Sequence, residues 1–253
     1  MIARRRMSWW ISKNRLAIAF GIGLLGAWEL LARLASKPTT FPTPSQVGWS
    51  LYVRWDLIAY HAGLTFYQTI LGFLISAIAG VMLGWMIGKS RRLYEAFYPM
   101  VVVLQVLPKE ALAPLMILWF GAGILSRIIL VFLISFFPVV INTVIGVRGV
   151  EENVRRYVAS LSCPRWKMFL SVELPSALPS IFTGLKIAVT LSIVGAVVAE
   201  IVAGRDGLGY LLLFASSRLD MSFSLGILVV LAIWGALSFA AVERGERLAL
   251  YWR

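Results

Sequence analysis

Six long apolar stretches, separated by short polar segments, dominate the sequence. They cover about residues 16–35, 61–88, 94–120, 128–147, 180–202 and 223–242. A helix needs roughly 20 predominantly apolar residues to cross the hydrocarbon core of a bilayer, and each stretch has about that length or more. The pattern therefore predicts an all-α, polytopic transmembrane helix bundle of about six spans.

The composition agrees with a membrane environment. Of the 253 residues, 60% are hydrophobic and only 14% are charged, and the mean hydropathy is +0.84. A soluble domain carries roughly 25% charged residues, so this chain lacks the polar side chains needed to cover a water-facing surface. The loops are too short to hold a soluble domain, and no internal repeat is visible. Residues 1–253 are therefore predicted to form a single transmembrane domain.

The distribution of positive charge predicts the orientation of the spans. If the amino terminus lies inside, sixteen lysines and arginines fall in cytoplasmic segments and six on the opposite side. Because cytoplasmic loops carry the excess of Lys and Arg in membrane proteins, both termini are predicted to be cytoplasmic. The excess of lysine and arginine in the cytoplasmic segments accounts for the net charge of +12, so nucleic-acid binding is not predicted.

Reactive side chains are too few for an enzyme. Cys163 is the one cysteine and His61 the one histidine, which excludes an intramolecular disulfide and a metal cluster built on Cys or His. No paired carboxylates lie near the histidine, and no G-x-x-x-x-G-K-[ST] phosphate-binding sequence occurs. The chain is therefore predicted to have no catalytic site, no metal and no cofactor of its own.

A basic, amphipathic segment interrupts the apolar pattern between the fourth and fifth stretches. It reads RRYVASLSCPRWKMFLSVELPSALPSI and begins at Arg155. Its apolar residues recur at near-helical spacing, and Pro164 divides it into two short helices. Pro175 and Pro179 are predicted to end the segment and turn the chain into the fifth span. Taken by itself, this pattern also fits a helix lying on anionic lipid.

The same segment resembles the signature loop of ABC-importer permeases. That loop has the pattern E-A-A, three residues, G, nine residues, I, one residue, L-P. Here the corresponding positions are Tyr157-Val158-Ala159, Ser162 and Val172-Glu173-Leu174-Pro175, with the spacing kept throughout. Tyr157 replaces the acidic residue, Ser162 the glycine and Val172 the isoleucine.

Other stretches carry the resemblance over about residues 40 to 245. They include FPTPSQV, GLTFYQTILGFLISAIAGVMLGWMIGKS, LAPLMILWFGAGILSRI, FFPVVINTVIGV and GLKIAVTLSIVGAVVAEIVAGRDGLGYLL. Together they are similar to the nitrate/sulfonate/taurine branch of these permeases. The resemblance implies the type I ABC-importer permease fold in a bacterial cytoplasmic (inner) membrane.

The resemblance also implies partners and a docking site. Residues 154–175 correspond to a cytoplasmic coupling helix that lies in a groove of an ATPase subunit. The residues assigned to this contact are Tyr157, Ala159, Ser162, Cys163, Arg165, Trp166, Phe169, Leu174 and Pro175. Trp166, Phe169 and Leu170 are its expected apolar anchors. The implied partners are two ATPase subunits holding ATP and Mg, a second permease protomer (identical or a paralogue), and an extracytoplasmic solute-binding protein.

Several polar residues lie inside the predicted spans, where they are costly unless they face protein or water. The candidates for lining a solute pathway are Gln105, Lys109, Glu110, Asn142, Thr190 and Glu200. Helix–helix hydrogen bonding explains each of them at least as well, and Lys109 and Glu110 could instead form a buried pair. Four glycines of the second stretch, Gly72, Gly80, Gly84 and Gly88, are predicted to form a close-packing seam.

Glycines after the fifth stretch predict a chain reversal. The sequence AGRDGLGYLL places Gly204, Gly207 and Gly209 there. The family usually has an outer gate at this position, so Gly207 and Gly209 are candidate gate residues and Tyr210–Phe214 would dip back into the bilayer. A plain surface loop is the alternative.

Several chemical classes of solute fit the resemblance. The resemblance implies taurine or another sulfonate, nitrate, an aromatic acid, or a vitamin or its precursor. A lysine in mid-span, Lys109, favours an anionic or zwitterionic solute. The alternative function is a self-contained ion-coupled transporter or channel, which would require gating charges or inverted repeats that the sequence does not show.

Overall fold

The computed structural model describes residues 15–35, 40–149 and 164–251, and every regular element in these ranges is helical. The elements are α1 (Arg15–Leu34), α2 (Pro44–Val53), α3 (Trp55–Lys89), α4 (Arg91–Val106), a 3₁₀ turn (Lys109–Leu112), α5 (Ala113–Phe120), α6 (Ile124–Arg148), α7 (Arg165–Met168), a π-helical turn (Phe169–Glu173), α8 (Leu174–Ala203), α9 (Leu208–Ser217) and α10 (Met221–Ala249).

Four uninterrupted helices among the described residues are long and apolar enough to cross a membrane. They run over Trp55–Lys89, Ile124–Arg148, Trp166–Ala203 and Met221–Ala249. A fifth span is formed if α4 and the Lys109–Phe120 helix are counted together. The 20-residue α1 covers nearly the same residues as the first predicted stretch. The predicted all-α transmembrane architecture is confirmed.

The third predicted span is bent rather than continuous. Its two halves meet at 79° across the break between Val106 and Lys109. Leu107 is extended there, with ψ of 133°, because the ring of Pro108 disfavours helix for the residue before it. The chain resumes as a 3₁₀ turn and then as α5.

The predicted turn at Pro175 and Pro179 is wrong, because one helix runs from Trp166 to Ala203. Pro175 lies in the first turn of α8 and Pro179 lies inside the helix. The π-helical turn directly before Pro175 accounts for the continuity. There the Leu174 N–H reaches back five residues to the Phe169 carbonyl, so the hydrogen-bond ladder shifts before it meets a residue without an N–H.

The chain divides into two compact units. The smaller contains the described residues up to Ile58 together with Leu212–Leu228, and the larger contains Ala59–Leu211 and the described residues from Val229 onward. In the smaller unit, Thr43 and Gln46 form a capping box at the start of α2. An ion pair of 2.6 Å joins Arg54 Nη1 to Asp220 Oδ2.

The predicted glycine seam is confirmed in the larger unit, where α3 lies against α6. A Cβ added at Gly80 would lie 2.8 Å from Val139 Cβ, and one added at Gly84 would lie 2.7 Å from Thr143 Cβ. Gly72 and Gly88 meet Val131 and Val147 in the same way, one side chain of α6 for each glycine. Because real Cβ atoms do not approach so closely, the two backbones can pack at this distance only with glycine.

An adjoining face of α6 packs against α8 with the same small-residue contacts. Gly146 of α6 meets Ala177, and Gly184 of α8 meets Asn142. Near the other end of α8, Gly195 meets Val131. The helix α6 is therefore the centre of the larger unit, held between α3 and α8.

Candidate functional site

The first candidate site is the coupling segment, defined here as residues 164–175. Tyr157, Ala159, Ser162 and Cys163 lie outside the described residues, as does the side chain of Arg165. The described part begins as α7 and passes through the π-helical turn into α8. Leu174 and Pro175 are half-buried in the first turn of α8. The segment is thus a direct helical extension of a membrane span.

The three expected anchors of this segment face different surroundings. Trp166 is 63% exposed and Leu170 is 52% exposed. These two residues are four apart in sequence. Phe169 instead packs inside the chain, edge-on to Trp85 of α3 with a centroid distance of 5.0 Å. The structure leaves Trp166 and Leu170 free to contact another protein, whereas Phe169 belongs to the internal packing of this chain.

A salt bridge strengthens the internal contact at Phe169. The Lys89 Nζ at the end of α3 lies 3.7 Å from Glu173 Oε2 and 5.9 Å from the centroid of the Phe169 ring. Glu173 is buried, so its charge needs this partner. The coupling segment is thus in contact with α3 as well as continuous with α8.

The second candidate site lies at the break in the third span. Gln105, Lys109 and Glu110 line a cavity of about 310 Å³ together with Ile134, Pro138 and Leu191. The Lys109 ammonium donates to the carbonyl oxygens of Gln105 (2.7 Å) and Leu107 (3.4 Å). It also lies 5.0 Å from the centroid of the Phe137 ring. The carbonyls are available because the helix is interrupted at Pro108.

Other predicted lining residues are bonded within their own helices. Asn142 Nδ2 donates to the Pro138 carbonyl at 2.8 Å, and Thr190 Oγ1 donates to the Lys186 carbonyl at 2.7 Å. Thr190 is exposed and Asn142 is half-buried. Neither lines the cavity at the break, so the structure does not bring all six predicted lining residues together.

The third candidate site is the loop after α8, which includes the two predicted gate residues. Gly204 and Gly207 have φ of 64° and 98°, values that favour glycine. The Gly207 N–H donates to His61 Nδ1 at 2.9 Å, and the Gly209 N–H donates to Glu200 Oε2 at 2.6 Å. Glu200 has no exposed surface, so it lies in a closed network and not in an open pathway in this conformation.

Sequence reasoning missed the partners that α3 contributes to this loop. His61, Thr65 and Gln68 are buried, and each contacts Glu200 or the loop. A signal was present, because positions 61, 65 and 68 are spaced four and three apart and so share one face of a helix. A polar stripe on an otherwise apolar span indicates a buried network.

Comparison with known proteins agrees with the geometry. The family model described as binding-protein-dependent transport system inner membrane component matches residues 56–246. The formylaminopyrimidine transport permease protein ThiX of Halalkalibacterium halodurans is 31% identical over 92% of this chain and 94% of its own. The putative aliphatic sulfonates transport permease protein SsuC of Bacillus subtilis is 32% identical over 91% and 84%.

A solved structure supports the fold. An inward-facing form of the MetNI methionine ABC transporter aligns with a TM-score of 0.63 at 16% identity, over 77% of this chain and 97% of that chain. The predicted resemblance to ABC-importer permeases, including the sulfonate branch, is confirmed by the two relatives and by the family match. The chain belongs to the binding-protein-dependent transport system inner membrane component family, the membrane-spanning permeases of ABC importers.

Proposed function

We propose that two copies of this permease, or one copy and a paralogue, enclose the pathway of an ATP-driven importer. Two separate ATPase subunits dock on the coupling segment, and an extracytoplasmic binding protein delivers the solute. The observation that supports docking is the exposure of Trp166 and Leu170 on a helix that continues into a span. Large apolar side chains on a protruding helix are typical anchors for a groove in a partner.

The contacts of the coupling segment suggest how docking is coupled to transport. Because α7, the π-helical turn and α8 are one continuous helix, a push at Trp166 moves α8 without a flexible joint. The contacts of Phe169 and Glu173 with α3 pass the same push to a second span. ATP-driven closure of the ATPase subunits would in this way shift α3 and α8 together.

The orientation that this function requires can be measured with single cysteines in a Cys163→Ser background. We expect Thr40→Cys to react with a membrane-impermeant maleimide in intact cells, and Arg92→Cys to react only after permeabilisation. Both positions are exposed, so access to the reagent depends on the side of the membrane. Labelling of Arg92→Cys from outside, with Thr40→Cys protected, would contradict the positive-inside orientation and remove the coupling segment from the cytoplasm.

For the solute, we propose a small anion or zwitterion. The two relatives described above are named for chemically different solutes, a formylaminopyrimidine and aliphatic sulfonates, so their names do not decide the matter. The proposal rests on Lys109, which lines the cavity at the break in the third span. Among the described residues, no ion pair joins Lys109 to Glu110. Glu110 lines the same cavity and offsets part of the positive potential of the ammonium, but without a direct ion pair it does not cancel it.

Replacing Lys109 by methionine should raise the solute concentration that gives half-maximal uptake by about 10-fold, which corresponds to about 1.4 kcal/mol. The side-chain volume is nearly kept while the charge is removed. Lys109→Arg is the matched control and should stay close to the unmodified chain. Uptake is measured in proteoliposomes with the cognate binding protein. If Lys109→Met leaves the concentration dependence unchanged, the lysine has a structural role at the break and the solute class is open again.

A further inference from the structure

The first turn of α9 is capped by side chains from two other helices. Three consecutive N–H groups at its start each have a side-chain acceptor. Gly207 donates to His61 Nδ1, Leu208 donates to Thr65 Oγ1 at 2.8 Å, and Gly209 donates to Glu200 Oε2. A helix normally satisfies its first N–H groups with its own N-cap or with water. Here α3 and α8 supply the cap, so α9 is attached to both of them.

The burial of Glu200 makes this cap costly to open. Its carboxylate has no exposed surface and also accepts from Thr65 Oγ1 at 2.7 Å and from the Gln68 amide. The start of α9 adds the positive end of a helix dipole, which stabilises a nearby carboxylate. Withdrawing α9 would remove the Gly209 hydrogen bond and the helix dipole and leave the buried carboxyl group of Glu200 with fewer partners, which is unfavourable.

A second attachment lies on the other side of the loop. Arg127 of α6 is buried, and it forms an ion pair with the Asp206 carboxylate and donates to the Asp206 carbonyl at 3.3 Å. The chain therefore bonds to α3, α6 and α8 within four residues, from Asp206 to Gly209. The start of α9 also packs closely against α8, since a Cβ added at Gly209 would lie 2.5 Å from the Val197 carbonyl oxygen.

We propose that Glu200 and Thr65 are positioning residues that keep the start of α9 fixed to α3 and α8 throughout the transport cycle. On this account the segment is not a flap that opens independently. Whatever opens the outer end of the pathway is then a movement of α3, α8 and the start of α9 together, driven from the coupling segment at the far end of the same helices. The proposal rests on the proposed function for its transport readout only.

The test uses Leu208→Cys in a Cys163→Ser background, because the Leu208 side chain is fully buried when the cap is closed. The assembled complex in liposomes is treated with a small maleimide at rest and during ATP turnover. We expect low labelling in both states. Labelling that rises several-fold during turnover would show that α9 detaches in each cycle, and would overturn the proposal.

Cap variants provide the second arm. Thr65→Val removes the hydroxyl at nearly constant volume and should raise Leu208→Cys labelling several-fold. It should also lower the solute moved per ATP hydrolysed. Thr65→Ser, which keeps the hydroxyl, and Thr183→Val, which removes an exposed hydroxyl bonded only to its own helix, should both behave as the unmodified chain. Glu200→Gln should be milder than Glu200→Ala, because an amide can still accept from Gly209.

The two arms separate the possible failures. If Thr65→Val and Glu200→Ala label like the unmodified chain, the cap does not position α9 and the proposal is overturned, whatever the chain transports. The labelling at rest needs neither solute nor nucleotide, so an error in the proposed function would leave this arm intact. If Glu200→Ala fails to assemble, the Thr65→Val and Thr65→Ser pair alone decides the outcome, since neither removes the buried carboxylate.

Discussion

Replacing both Trp166 and Leu170 by alanine should abolish co-purification of the ATPase with this permease. The two side chains are four residues apart and both are largely exposed, so they form one apolar surface of the coupling segment. An aromatic anchor at the centre of an interface is typically worth about 2 kcal/mol or more, roughly a 30-fold change in affinity for Trp166 alone. Loss of Leu170 adds to this. Transport in liposomes should be lost together with binding.

Two controls make this result specific. Trp119→Ala removes a tryptophan that is 64% exposed on α5 and should leave ATPase binding unchanged. Phe169→Ala should lower the thermal stability of the permease, because Phe169 packs against Trp85, while most of the ATPase is still recovered. If the Trp166, Leu170 double variant recovers the ATPase as well as the unmodified chain does, the exposed surface serves another purpose, such as contact with lipid.

The second large effect is expected at the glycine seam between α3 and α6. Gly84→Val would place a branched side chain where even a Cβ lies 2.7 Å from both the Val140 carbonyl oxygen and Thr143 Cβ. One of these neighbours is backbone and cannot rotate away, so the helices must separate. We expect a loss of about 3 kcal/mol or more, at the upper end of overpacking effects. The apparent Tm in detergent should fall by roughly 6–12 °C.

The same helix offers a matched control for the seam. Gly63 is also in α3, but nothing lies within 4 Å of an added Cβ, so Gly63→Val should change the Tm by little. The comparison separates the steric effect from the change in helix propensity between glycine and valine, which both variants share. Equal shifts in the two variants would mean that α3 and α6 do not pack at the distance described here.

The sequence predicted those features of the fold that depend on local pattern. Length and hydropathy are enough to identify apolar helices, because a bilayer admits few other structures. The glycines at positions 72, 80, 84 and 88 were predictable as a seam because small residues at helical spacing have little other use in a membrane. Both kinds of signal are carried by residues close together in the chain.

Features that depend on distant partners were not predictable. Nothing near Phe169 in the sequence indicates that Trp85 will cover it, so the sequence pattern alone predicts an anchor at Phe169 as well as at Trp166. The π-helical turn that carries the helix past Pro175 likewise has no simple sequence signature. The sequence predicts Glu200 as a candidate pathway residue, but its hydrogen-bond partner Thr65 lies 135 residues away in the chain.

The central claim is that this permease imports solute only with ATP hydrolysed by ATPase subunits bound to its coupling segment. The most direct measurement is solute uptake into proteoliposomes that contain the permease, the ATPase and external binding protein, with and without enclosed ATP. We expect uptake that requires ATP and is lost in the Trp166→Ala, Leu170→Ala variant, while the unassembled ATPase still hydrolyses ATP. Uptake by the permease alone, driven by an ion gradient and unaffected by that variant, would contradict the account.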